Sequence, residues 1–320
     1  MKNKALDILM GLSIGDALGV PVEFQSRHSL SLKPVTSMIG EGIHSQPAGT
    51  WSDDSSLAFC LAESLCKGYD LKDIGRLFLK WKYESYWTAH EEVFDIGIAT
   101  SCALEAFKLS NNPFTSGGRA DEDNGNGSLM RILPIIFLVK DLAIEKRFQI
   151  VKDVSSITHA HTRSVLGCFI YMEYALELMK GREKYEALTK MQETVNQFLN
   201  MNAIASEKEM GLYNRILQND TIPYDCSPID SYFEAEIFSS GYIVHTLEAS
   251  IWCFLKTSNY AESALRAVNL GKDTDTTGCV TGGLSGLYYG YENIPEDWKN
   301  VIAKRKEIED LAERLNKKYP

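Results

Sequence analysis

The chain has 320 residues, with 33 Lys and Arg against 43 Asp and Glu, 44% hydrophobic residues and 24% charged ones. That is ordinary globular composition, long enough for one large domain or two small ones and for a core without disulfide or metal staples. A net charge of −10, unrelieved by any run of lysines or arginines, argues against general nucleic-acid binding, which needs a basic face toward the phosphate backbone.

Lys2 and Lys4 precede an apolar stretch in the manner of a secretory leader, but Asp7 interrupts it and Gly15-Asp16 follows without a cleavage pattern. No apolar segment is expected to reach the ~18 residues of a membrane span. The expectation is a soluble, cytoplasmic protein with no membrane partner, a monomer by default. Leu6, Leu9, Met10 and Ser13 recur at the spacing of one helix face, as do Leu57, Leu61 and Leu65, then Ile74, Leu77, Phe78 and Trp81. Longer helical patterns cover 96–107, 128–138, 163–179, 185–199, 241–255 and 301–315, with loops at 25–50, 110–127 and 219–230. Alternating strand patterns are missing, so the predicted class is all-α, built by helix-on-helix packing. With no repeat or flexible linker, 1–320 reads as a single domain closing on itself. Seven cysteines, odd in number and without a C-x-x-C pair, read as reduced core residues of a cytosolic protein.

Two acidic clusters carry the chemistry. Ser52-Asp53-Asp54-Ser55 precedes the helix of Leu57 and Leu61. An N-cap serine with acids in the first turn is favoured by the helix dipole, yet one carboxylate would suffice and two neighbours repel. Asp273-Thr274-Asp275-Thr276-Thr277 opens a second helix in the same way. It imitates an EF-hand, with Gly278 at the sixth loop position, but Leu284 stands where the twelfth must be glutamate. Neither cluster completes a metal site alone. Together they offer four carboxylates and several hydroxyls, the hard oxygen ligands that Mg²⁺ or Mn²⁺ prefers.

Gly278, Gly282, Gly286 and Gly290 recur every fourth residue. Helical glycine costs up to about 1 kcal/mol relative to alanine, so this stripe implies close approach, by another helix rather than a ligand. Asn124-Gly125-Asn126-Gly127-Ser128 leads to Arg131. It lacks the strand and third glycine of a Rossmann fingerprint. Amides at a helix N-terminus would suit a phosphate, with Arg131 nearby; a plain turn competes equally. Thr158-His159-Ala160-His161 has no further ligand at zinc spacing, so a histidine bonding a ligand or the backbone is the better reading. Neither a G-x-S-x-G elbow nor a P-loop occurs.

Taken in order, the segments Gly11-Leu-Ser-Ile-Gly-Asp-Ala-Leu-Gly-Val-Pro-Val-Glu23, Ser52-Asp-Asp-Ser55, Gly125-Asn-Gly-Ser-Leu-Met-Arg131, Thr158-His159, Ser240-Gly-Tyr242 with Thr246-Leu-Glu248, and Gly271-Lys-Asp-Thr-Asp-Thr276 resemble the ADP-ribosylglycohydrolase family, of the dinitrogenase-reductase-activating glycohydrolase type. The likeness runs to about Tyr291. It implies an orthogonally packed all-α fold with a binuclear centre of two Mg²⁺ or Mn²⁺ ions held by Ser52, Asp53, Asp54, Asp273, Asp275 and Thr276. It also implies Glu23, Asp54 and Asp95 (in Phe94-Asp-Ile-Gly97) as catalytic groups. Asn126, Gly127, Ser128, His159 and Tyr242 would hold the ADP-ribose. Four positions depart from the family's pattern. Ser52 and Ser55 replace threonines but keep the hydroxyl, His245 stands where bacterial relatives often carry aspartate, and Lys272 often differs. The implied reaction is hydrolysis of the N-glycosidic bond between ADP-ribose and an acceptor, protein arginine first, with an ADP-ribosylated protein as partner. The alternatives are another ADP-ribose linkage (serine, O-acetyl or pyrophosphate) and a binding or toxin-neutralising protein without turnover.

Overall fold

The hydrophobic periodicity becomes a helical assembly in the computed structural model, which describes residues 3–219, 221 and 226–320. In chain order the helices are α1 (Lys4–Gly19), α2 (Arg27–Leu32), α3 (Asp53–Lys67), α4 (Leu71–Glu84), α5 (Ile98–Ser110), α6 (Ile136–Val139), α7 (Ile144–Ser156) and α8 (Thr162–Met179). They continue with α9 (Lys184–Asn202), α10 (Glu207–Gly211), α11 (Asn214–Leu217), α12 (Ile243–Leu255), α13 (Tyr260–Val268), α14 (Thr274–Tyr289), α15 (Glu296–Val301) and α16 (Arg305–Lys318). Among the described residues there is no sheet, only isolated bridges at Glu41–Gln46, Gly118–His159 and Gly125–Tyr242. Part of the expected 219–230 loop lies outside the described residues.

Helix α1 is the axis of the core, packed on α14 and flanked by α3, α13 and α16. Its periodic face is only part of the story, because nearly every side chain from Ala5 to Gly19 is buried. Lys4–Val22, with mean hydropathy 1.5, is after all long and apolar enough to cross a membrane, contrary to the sequence expectation; here it is buried inside the protein. A helix hydrophobic all round is what a core position demands.

The close approach expected of the glycine stripe is made by α1, which carries a matching stripe. A Cβ on Gly15 would stand 2.1 Å from the Gly278 carbonyl oxygen, one on Gly282 2.3 Å from that of Gly11, and one on Gly286 2.1 Å from that of Asp7. The backbones therefore touch along three turns. Gly290 plays another part: at φ +89° it ends α14.

Three expectations need correction. The pattern at 128–138 yields a run of turns, a 3₁₀ segment Leu133–Ile135 and only the short α6. Pro134 lacks an amide proton and disfavours helical Leu133, so no longer helix can form there. The helix expected over 301–315 breaks between α15 and α16, where Ala303 donates its N–H to the Gly49 carbonyl at 3.0 Å and Lys304 turns to φ +48°. Cys102 is exposed, whereas Cys60, Cys168, Cys253 and Cys279 are core residues, and among the described residues no cysteine is in a disulfide. Helices α2, α7 and α13 were not anticipated, although Ser26 and Asn259 supply the N-caps of α2 and α13.

Candidate active site

The α1–α14 contact brings the remote acidic clusters together. Ser52 caps α3, its Oγ accepting the Asp54 N–H at 3.3 Å, so Asp53 and Asp54 fall in the first helical turn. A second cap comes from α1, where the buried Asp16 carboxylate accepts the N–H groups of Ser52 and Ser55, each at 3.0 Å, and the Ser55 hydroxyl at 2.5 Å. The start of α14 is pinned to the same helix: Thr274 Oγ1 donates to the Gly19 carbonyl at 2.7 Å. Thr276 Oγ1 then donates to Asp54 Oδ1 at 3.3 Å, a direct link between residues 222 positions apart.

The Glu23 loop docks on this pair. Phe24 and Lys272, both in the left-handed region at φ +63° and +66°, anchor it: Phe24 N–H donates to the Lys272 carbonyl, and Lys272 N–H to that of Gln25, each at 2.7 Å. Carboxylate oxygens of Glu23, Asp273 and Asp275 consequently lie within 4.8 Å of one another. Glu23, His44 and Asp95 form a second such group, in which His44 Nε2 and Glu23 Oε2 are 2.5 Å apart. Asn126 Nδ2 donates to Asp273 Oδ2 at 2.7 Å and to Thr246 Oγ1 at 2.9 Å.

So many carboxylates out of water raise one another's pKa. Burial, followed by repulsion from Asp95, Asp273 and Asp16, pushes Glu23 up to about 9. Burial raises Asp16 to about 7 against its hydrogen bonds from Ser55 and Ser52. Asp53, Asp54 and Asp275 are driven well above the carboxylate range, first by desolvation and then by their acidic neighbours. Among the described residues Asp54 Oδ2 is buried without a hydrogen-bond partner, and no lysine or arginine lines the cleft to offset the charge. An orphaned carboxylate oxygen amid convergent hard donors fits a divalent cation.

The cleft has a volume of about 300 Å³ and is lined by Glu23, Asp53, Asp54, Asp95, Asn126, Gly127, His159, Asp273 and Thr276, with Thr100, Glu122 and Gly241 completing the wall. Asp275 lies just behind, 1% exposed. A larger groove of about 990 Å³ between α4 and α16 lacks any such convergence; its Arg314 is paired with Glu63 and Asp310.

Several anticipated residues stand elsewhere. Ser128 does not line the cleft, since its hydroxyl is fully buried against Cys168 Sγ at 3.3 Å. Tyr242 pairs its backbone with Gly125 and sets its ring edge-on to His245 beside the cleft. His245 bonds Ser240 Oγ at 2.8 Å and stacks on Phe238. Arg131, expected near a phosphate, is 0% exposed and cannot reach a ligand. Sequence reasoning overlooked Asp16, His44 and Thr100. Asp16 sits in the Gly15-Asp16-Ala17 segment, where an acid inside an otherwise apolar helix was the available signal.

A family model described as ADP-ribosylglycohydrolase matches residues 1–320. The chain belongs to the ADP-ribosylglycohydrolase family. It is accordingly an enzyme of the ADP-ribosyl glycohydrolase class. The chain is 32% identical over 316 residues to the ADP-ribosylarginine hydrolase Tri1 of Serratia proteamaculans, covering 98% of this chain and 79% of that protein. It is 26% identical over 312 residues to the ADP-ribosyl-[dinitrogen reductase] glycohydrolase of Rhodospirillum rubrum, covering 96% and 92%. A solved structure described as an ADP-ribosylglycohydrolase-related protein complex superposes with a TM-score of 0.80 at 29% identity, covering 99% of this chain and 98% of that one. Within this ADP-ribosylglycohydrolase the carboxylate-lined cleft at the α3 and α14 termini is the candidate active site.

Proposed function

We propose that this ADP-ribosylglycohydrolase cleaves the N-glycosidic bond between ADP-ribose and an arginine side chain, at a centre of two Mg²⁺ or Mn²⁺ ions held by Ser52, Asp53, Asp54, Asp273, Asp275 and Thr276. The observation that carries the reading is the Thr276–Asp54 link, which joins two incomplete acidic clusters into one donor set, with Asp53, Asp54, Asp273 and Thr276 lining the cleft. The arginine linkage is supported by the name of the Serratia relative and by the cleft's excess of carboxylates, which suit a guanidinium leaving group.

When bound, the metal pair supplies orientation of the ribose hydroxyls and Lewis-acid polarisation. The chain's own groups do the rest. Asp95 faces the cleft from the loop before α5 and takes a proton from the water that attacks the anomeric carbon. Glu23, whose carboxyl lies beside Asp95, Asp273 and Asp275 at the cleft, serves as the acid that protonates the departing guanidino nitrogen. The surrounding carboxylates stabilise the positive charge that develops on the ribose. Asn126 keeps Asp273 in register through its 2.7 Å bond. The partner is thus an ADP-ribosylated protein, and the enzyme acts as a cytoplasmic monomer.

The test is a panel of arginine-, serine- and O-acetyl-linked ADP-ribose, incubated with enzyme and Mg²⁺ or Mn²⁺ and resolved by HPLC. Free ADP-ribose from the arginine substrate supports the reading. Release only from another linkage would overturn the arginine assignment, and release from none would overturn the hydrolase.

A further inference from the structure

Among the described residues Arg131 is a buried cation without a carboxylate hydrogen-bond partner. Its guanidinium is 0% exposed, lies over the Phe78 ring at 5.0 Å, and donates from Nη1 to the Gly127 carbonyl and from Nη2 to Thr158 Oγ1, the latter at 2.7 Å. A guanidinium has donors and no acceptor, so Thr158 Oγ1 must accept. That hydroxyl is also 0% exposed, and its other partner is His159 Nδ1 at 2.7 Å. Were Nδ1 protonated, the hydroxyl proton would be buried with no acceptor among the described residues, at the full desolvation penalty of the group. The hydroxyl therefore donates to Nδ1, and a neutral imidazole that accepts at Nδ1 carries its proton on Nε2.

The surroundings agree. Burial, with the Arg131 charge beside it, pushes the His159 pKa down to about 3, so the ring is neutral. Its Nε2 edge meets the glycine turn at the cleft: a Cβ on Gly125 would stand 3.5 Å from Nε2, and one on Gly127 2.8 Å from Cε1. Among the described residues no lysine or arginine lines this wall, so an anionic or hydroxyl-bearing ligand depends here on neutral donors.

Resting on the ADP-ribose reading above, we infer that Arg131 and Thr158 are positioning residues, a one-way hydrogen-bond relay that fixes His159 as an Nε2–H donor to an oxygen acceptor of bound ADP-ribose. His159 touches the ligand; the other two act through it. The relay also accounts for the buried arginine, whose planar fork donates to both the Gly127 carbonyl and the Thr158 hydroxyl, acceptors that a methionine would leave unmet.

The direct test is a two-bond ¹H–¹⁵N correlation spectrum of histidine-labelled, ligand-free protein, with the His159 resonances identified by their loss in His159→Gln. Expected is a protonated Nε2 and an unprotonated Nδ1. Thr158→Val keeps the shape but removes the hydroxyl; it should give mixed tautomers and weaken ADP-ribose binding about tenfold by calorimetry. Thr158→Ser should restore both. An Nδ1-protonated ring in the unaltered protein overturns the relay, as does a folded Thr158→Val protein that binds ADP-ribose with unchanged affinity. If Thr158→Val fails to fold, the unaltered protein and Thr158→Ser still decide by tautomer. Unaltered protein that binds no ADP-ribose would instead overturn the hydrolase function, while the spectrum still judges the relay.

Discussion

Gly282→Ala tests whether helix spacing governs the site. Gly282 lies two turns beyond Asp275 and lines no part of the cleft, so any functional effect must travel through the α1–α14 contact. The new methyl would meet the Gly11 carbonyl oxygen at 2.3 Å and the Gly15 Cα at 3.2 Å. A relaxed carbon–oxygen contact needs roughly 3.3 Å, so the helices must part by about 1 Å. Both partners are backbone and cannot rotate away. Overpacking of this kind costs about 1–3 kcal/mol, against which alanine recovers up to about 1 kcal/mol of helix propensity. The net expectation is a loss of about 1–2 kcal/mol in urea denaturation. Because α1 carries Asp16 and leads to Glu23, while α14 carries Asp275 and Thr276, the same displacement opens the donor set. A misplacement of about 1 Å can lower turnover ~100-fold, measured as ADP-ribose release. A variant with unaltered stability and turnover would refute the claim that the glycine stripes set the geometry.

Other perturbations address the remaining links. Asp54→Asn replaces a carboxyl whose Oδ2 is buried without a partner among the described residues, so stability in EDTA should hold or rise while turnover falls at least about 100-fold; a parallel loss of both would make Asp54 a structural residue. The metal-free protein should lose stability as pH rises from 6 to 8. A raised carboxyl binds its proton more tightly when folded, so the folded state loses ground between the unfolded and folded pKa values, and Glu23, raised to about 9, alone contributes on the order of a few kcal/mol over that window. Mg²⁺ or Mn²⁺ should flatten the slope, and stability rising with pH in EDTA would contradict the account. Asp16→Ala strips two N–H acceptors from the start of α3 and should cost about 1–3 kcal/mol by calorimetry; no loss would mean that Ser52 alone caps the helix.

The sequence made the all-α class and the acidic clusters legible because both rest on local chemistry. Periodicity reports which face is apolar, and adjacent aspartates are hard to explain otherwise. The α14 glycine stripe was readable as close packing, but its partner stripe, Gly11, Gly15 and Gly19, passed as part of a motif, since spacing names a face and not what it meets. Arg131 shows the limit most clearly. A cation after a glycine turn looks like a phosphate ligand until its burial is known, and only tertiary structure reveals that its Nη1 and Nη2 donate to Gly127 and Thr158. The break between α15 and α16 was illegible for a similar reason, being made by a bond to Gly49 some 250 residues away.

The central claim is that two distant segments jointly hold the cations at the cleft. Titration of metal-free protein with Mn²⁺, followed by electron paramagnetic resonance, tests it most directly. Two ions per chain are expected in the unaltered protein, with stoichiometry or affinity reduced in both Asp53→Ala and Asp275→Ala. Full manganese binding retained by either variant would contradict it.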